Sequence, residues 1–217
     1  SLILTGKGGA GKTTTTSLVL AEGAGEWDYH ADDYVFITPE PASLAYLTRS
    51  HLYRALLDWV PEIDQRLTRR EKIRLDLFGN LRSWSKENVK WPVRMSLKRM
   101  WPDLEPVMKA SPAGLLVLER GDVEESTLVK LSPTGDLLED LIDMNFTEAR
   151  HFLQLVQKNQ SVPDFQAWLS EWRSREKALL ERLLTLIPTY TLQLPTKLSP
   201  SKFQRATLVN QLTQITQ

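Results

Sequence analysis

The run Gly6-Lys7-Gly8-Gly9-Ala10-Gly11-Lys12-Thr13 constrains this chain more than any other stretch. It follows the apolar residues Leu2-Ile3-Leu4 and precedes a helical pattern over 13–22 that carries Leu18, Val19 and Leu20 and stops at Gly23 and Gly25. Its spacing is G-x-x-x-x-G-K-[ST]. Glycines at these positions let successive backbone N–H groups converge on phosphate oxygens, and the following helix turns its positive end toward them. On this reading Gly8, Gly9, Ala10, Gly11, Lys12, Thr13 and Thr14 bind a nucleoside triphosphate, ATP being the expected one. Lys12 would reach the β- and γ-phosphates, and the Thr13 hydroxyl would sit on Mg²⁺. Such a loop needs a strand before it and a helix after it. The chain therefore predicts an α/β fold with a P-loop nucleotide-binding core.

Composition narrows the classes around that loop. At 217 residues the chain suits one large domain. It has no cysteine, which excludes thiol nucleophiles, cysteine-ligated zinc and disulfide frameworks, and which fits a reducing cytoplasm. Lys plus Arg is 27 and Asp plus Glu is 27, so bulk charge gives no reason to expect a nucleic-acid or membrane partner. No stretch approaches the ~20 apolar residues needed to span a bilayer. Because Ser1 falls inside a strand pattern, further native sequence is expected upstream of it.

Along the chain, Tyr34–Ile37 reads as a strand neighbouring the first, closed by Pro39 and Pro41. Leu44, Leu47, Leu52, Leu56 and Leu57 give residues 42–63 a helical pattern. The segment from about 64 to 110 is the basic region: from Asp64 to Lys109, 12 Lys or Arg face 6 Asp or Glu. It reads as an insertion or lid, either a mobile one that carries a cation such as Arg94 onto phosphate or a solvated helical one. Leu115–Leu118 is a second apolar strand, Leu128–Leu131 a short one, and Thr134–Asp143 a helix. The C-terminal part, about 164–217, reads as mostly helical. Its stripe of Phe165, Trp168, Leu169, Trp172, Leu179, Leu180, Leu183, Leu184 and Ile187 at spacings of three and four predicts core packing. Tyr190–Leu194 then alternates like an edge strand.

The second chemical feature is His30-Ala31-Asp32-Asp33. Asp32 falls 20 residues after Lys12, about the distance needed to run one helix and return. Adjacent aspartates often mark no more than a solvated turn. Beside a phosphate loop they suggest a division of labour in which one acid holds Mg²⁺ and the other takes a proton from an attacking hydroxyl. Asp32 and Asp33 are thus candidate catalytic residues with Lys12, and Asp32 is the candidate metal ligand with Thr13. His30 is either a modulator of this pair or a polar surface residue. His51 and His151 read as structural, and Glu119 as a strand-end acid or a surface charge.

Two family resemblances rest on these residues. Lys7 through Thr14 is similar to the loop of the MinD, ParA and ArsA ATPases, which implies a dimerising switch with Lys7 acting across the interface. The loop followed by Ala31-Asp32-Asp33-Tyr34-Val35 resembles the HPr kinase/phosphorylase family and the phosphoenolpyruvate carboxykinases that share its nucleotide-binding core. Leu115 through Asp122, the Leu131-Ser132-Pro133 step and Ile187 through Leu192 agree with that family at the level of pattern. This second resemblance implies a Mg²⁺-ATP-dependent kinase that phosphorylates a hydroxyl. The acceptor would be a serine of a peptide or small protein, as in the tailoring of lasso peptides, or a small hydroxyl compound. It also implies a homo-oligomer.

Overall fold

The computed structural model describes residues 1–23, 25–84, 92–132, 134–159, 162–196 and 202–216; Pro133 of the step above lies outside them. The apolar run that precedes the glycine loop forms β1 (Leu2–Thr5), and the loop leads directly into α1 (Lys12–Glu22). Beside β1 lies β7 (Gly114–Gly121), which carries the apolar run Leu115–Leu118. The two pair in parallel, Leu2 opposite Gly114 through Thr5 opposite Val117. Every residue of β7 from Gly114 to Leu118 is buried, as a strand covered on both faces requires.

β9 (Thr189–Pro195) runs parallel to β7 on its other side, and β8 (Thr127–Leu131) closes the sheet antiparallel to β9. The sheet order is β1-β7-β9-β8. The strand read as an edge is therefore internal. Its alternation misled because its hydroxyl residues Thr189 and Thr191 are buried along with Leu192 and Leu194. One face of the sheet packs Leu116, Leu118, Leu192 and Leu194 against Leu18 and Val19 of α1 and Leu208 and Leu212 of α9 (Lys202–Thr216). The other face packs Leu115 against Leu138, Leu141 and Ile142 of α6 (Gly135–Glu148) and Leu183 and Leu184 of α8 (Phe165–Leu186). Helices thus cover both faces of a mainly parallel sheet, an α/β architecture.

The remaining strands lie outside that sheet. β2 (Tyr34–Ile37) does not join β1. It pairs antiparallel with β3 (Ser43–Tyr46), and β3 pairs with β6 (Lys109–Ala110). The exposure pattern gives the reason: Tyr34 and Phe36 are exposed while Val35 and Ile37 are half-buried, the signature of a strand covered on one face only. The helix expected over 42–63 is instead β3, then β4 (Ser50–Leu52), α2 (Arg54–Trp59) and α3 (Pro61–Asp64). Leu44 and Tyr46 already alternate with period two, and a turn closed by Thr38 N–H to the Ala42 carbonyl (3.0 Å) sends the chain back along β2.

The basic segment is rooted in the molecule. α4 (Arg69–Trp84), β5 (Val93–Met95) and α5 (Leu97–Met100) deliver Leu75, Val93, Met95 and Met100 to the main core. Several of its cations are engaged within the same region. Arg99 donates to Glu71 at 2.7 Å, Lys72 pairs with Asp64 at 2.7 Å, and Arg66 lies over the Trp101 ring. Arg94 sits in β5 opposite His51.

α7 (Arg150–Lys158) has no buried residue, and the N-terminal half of α8 is tied to α6 by Arg173, which donates to Glu139 at 3.0 Å and Asp143 at 2.8 Å. The aromatic stripe is core only at its C-terminal end, where Leu183, Leu184 and Ile187 are buried; Trp168 and Trp172 are half-buried. These rings stack on each other at 5.4 Å and on Phe146 and Phe165. Among the described residues no helix is long and apolar enough to cross a membrane.

Candidate functional site

The glycine loop leaves the C-terminal end of β1 and folds against the end of β7. Gly6 has φ +147°, and a Cβ there would lie 2.5 Å from the Leu118 carbonyl oxygen, so the close approach of loop to strand admits glycine alone. Gly9 and Gly11 also have positive φ, 85° and 109°. Lys7, Gly8 and Gly9 form the exposed crown of the loop, and Ala10 is buried beneath it. Lys12 turns back over the loop, its Nζ donating to the Gly6 carbonyl at 2.6 Å and the Lys7 carbonyl at 3.4 Å. The ammonium thus lies against the loop's own carbonyls.

The two acids are carried in by a short segment that α1 sends back across the molecule. The Val107 backbone pins it: the Val107 N–H donates to the Tyr29 carbonyl at 2.8 Å, and the Val107 carbonyl accepts from His30 Nδ1 at 2.5 Å. His30 is therefore a structural clamp whose donating nitrogen is Nδ1. Two residues on, Asp32 Oδ1 accepts from the Thr13 hydroxyl at 3.4 Å. Asp33, next in the chain, is exposed, and its Oδ2 accepts from the Thr48 hydroxyl at 3.4 Å. The expected meeting of loop threonine and aspartate is thus present for Asp32, while Asp33 faces outward beside it.

Burial pushes the Asp32 carboxyl up from its ordinary value, against hydroxyls of Ser50 and Thr13 that favour the ionised form. Its Oδ2 is buried without a hydrogen-bond partner, as is the Tyr29 hydroxyl. Burial, reinforced by the charge of Asp32, also pushes the Tyr29 phenol up, so it stays protonated. A buried, unpaired carboxylate oxygen is costly and is the kind of donor a divalent cation would satisfy.

Among the described residues no three His, Cys, Asp or Glu side chains converge on one metal position. The donor set at the acid is the Asp32 carboxylate and the Thr13 hydroxyl. It fits Mg²⁺, which is commonly held by one or two protein oxygens together with substrate phosphates and water. Lys12, Asp32 and Asp33 line one cleft of about 580 Å³, whose apolar wall includes Leu4, Val19, Leu20 and Leu212.

One residue at the loop was not anticipated. Arg120, near the end of β7, places a guanidinium nitrogen 3.2 Å from where a Gly11 Cβ would be, and its other nitrogen donates to the Pro195 carbonyl at 2.9 Å. Burial lowers its pKa, though not enough to discharge an arginine. In the sequence only its place directly after an apolar run marks Arg120; it and Glu119 are both exposed, and Glu119 lies opposite Gln193. His51 lies in β4 opposite Arg94, and His151 is exposed on α7.

No family model, no curated protein and no solved structure matches this chain.

Proposed function

We propose that this chain is a Mg²⁺-ATP-dependent phosphotransferase of HPr-kinase-like P-loop type that moves the γ-phosphoryl group to a hydroxyl, most simply a serine of a peptide or small protein. The observation that carries the reading is the Thr13–Asp32 hydrogen bond. It brings a half-buried acid, its Oδ2 enclosed, from the returning segment to the hydroxyl at the foot of the glycine loop, the combination needed to hold a metal against a triphosphate.

In this reading the backbone N–H groups of Gly8 to Lys12 and the Lys12 ammonium neutralise the phosphates. Thr13 and Asp32 would hold Mg²⁺, which would offset the charge of the triphosphate. Arg120 adds a second cation at the loop without any lid having to close. Asp33, outward-facing, orients the acceptor hydroxyl and takes its proton. The hydroxyl oxygen bonds to the γ-phosphorus as the bond to the β,γ-bridging oxygen breaks and ADP departs. The work is positioning and charge stabilisation, with no covalent intermediate.

The test is transfer of labelled γ-phosphate to serine-containing peptides and small alcohols. Lys12→Ala should abolish it and weaken nucleotide binding; transfer that survives in Lys12→Ala rejects the reading. The exposed position of Lys7 at the loop crown favours a second reading, a dimerising ATPase switch in which that lysine acts in trans. Unchanged acceptor phosphorylation in Lys7→Ala rejects the switch.

A further inference from the structure

The outer face of the small sheet beside the aspartates carries an aromatic shelf. In the β2–β3 register Tyr34 opposes Tyr46 and Phe36 opposes Leu44, so all four side chains share one face. They are exposed by 49%, 49%, 57% and 36% in that order. Tyr46 stands edge-on to both neighbours, at 6.3 Å from Tyr34 and 5.7 Å from Phe36. Each ring therefore helps to fix the others while keeping open surface. Exposed aromatic area of this kind in a soluble-facing sheet marks a contact surface more often than a random one.

Two further observations say what would cover it. The first is charge. Tyr34 feels the carboxylates of Glu148 and Asp33, which add to the effect of burial in holding its phenol up. Glu26 and Asp28 stand exposed at the mouth of the cleft that Tyr34 also lines. Lys109, opposite Leu44 in the register, is a cation on the same sheet. Electron-rich ring faces bordered by carboxylates attract ammonium and guanidinium groups, and they do so more strongly than rings alone. The second is continuity. Tyr34 follows Asp33 in the chain and lines the same cleft as Lys12 and Asp32, so a ligand on the shelf leads directly to the acids.

We infer that the shelf of Tyr34, Phe36 and Tyr46 docks a basic peptide segment, a lysine or arginine side chain lying on its rings while a neighbouring serine of the same peptide reaches Asp33. This rests on the phosphotransfer reading for the serine; the docking of the cation does not. The specificity it implies is for serines flanked by basic residues.

The experiment compares two labelled serine peptides that differ only in carrying lysines or norleucines beside the serine. Binding is followed by fluorescence anisotropy without nucleotide, and transfer is followed with ATP. The basic peptide should bind more tightly. The double variant Phe36→Ser/Tyr46→Ser should weaken it about tenfold, two exposed cation–π contacts being lost, with KM for ATP unchanged. Phe36→Trp, which keeps a ring at that place, should retain or improve the binding of the basic peptide. Equal binding of the two peptides, or an equal loss of both in the double variant, overturns the inference. So does a dimer in sedimentation that the double variant turns into monomer, since the shelf would then be a self-interface. Selective binding without phosphate transfer supports the docking and removes the kinase reading. Equal transfer to both peptides does the reverse.

Discussion

Asp32 is held between two opposing demands. Burial disfavours its charge, and its Oδ2 finds no partner, yet the Thr13 and Ser50 hydroxyls favour ionisation. A carboxyl whose pKa is raised by folding binds its proton more tightly in the folded than in the unfolded chain. Stability therefore falls as pH rises from the ordinary carboxylate value through the raised one, and the loss is complete above it. Asp32→Asn removes that penalty. In urea titrations without Mg²⁺ or nucleotide it should unfold later than the parent chain at neutral pH and no later in strong acid. Asp33→Asn, which removes the group that takes the acceptor's proton, should lower phosphate transfer about 10²–10⁴-fold. Arg120 makes the complementary prediction. Arg120→Ala should lower kcat about 10²–10³-fold through lost charge stabilisation, with nucleotide affinity changed far less, as read by fluorescent-nucleotide titration.

At the scale of elements, the loop is coupled to the sheet through Gly6. Its φ of +147° and the 2.5 Å approach to the Leu118 carbonyl leave no room for a side chain. Gly6→Ala should cost about 1–3 kcal/mol, seen as a lowered urea midpoint with unchanged m-value, and nucleotide binding should weaken with it. The elements legible in the sequence are those whose signals are local. The Gly-rich spacing placed β1 and α1, and the unbroken apolar run Leu115–Leu118 placed β7. The helix read over Thr134–Asp143 is α6, which Thr134 caps by accepting from the Leu137 N–H. What was not legible depends on partners distant in sequence. Leu44 and Tyr46 fit a helix or a strand until pairing with β2 decides. β9 looks one-sided until helices cover both faces of its sheet. Arg120 becomes a loop residue only because β7 lies beside β1.

Across the whole molecule, the long helix α8 divides between two environments. Leu184 is 5% exposed in the core facing α6, whereas the half-buried Trp172 packs against Phe146, Trp168 and the exposed Phe152. The sequence stripe did not separate the two halves, because spacing reports that residues share a face and not whether another element covers it. Leu184→Ala should therefore destabilise by about 2–5 kcal/mol. Trp172→Ala should cost less than half as much despite the larger side chain, a comparison that thermal unfolding of the two variants makes directly.

The meeting of glycine loop and half-buried acid also spans the molecule, since Thr13 opens α1 and Asp32 is held in place by Val107 from the far side of the basic segment. A double-mutant cycle of Thr13→Ala and Asp32→Asn, read as Mg²⁺-dependent ATP affinity, tests whether the two act on one ion. If they do, the double variant loses less than the sum of the single losses, with a coupling above ~1 kcal/mol. Additivity within ~0.5 kcal/mol would place the two groups at independent sites and contradict the account.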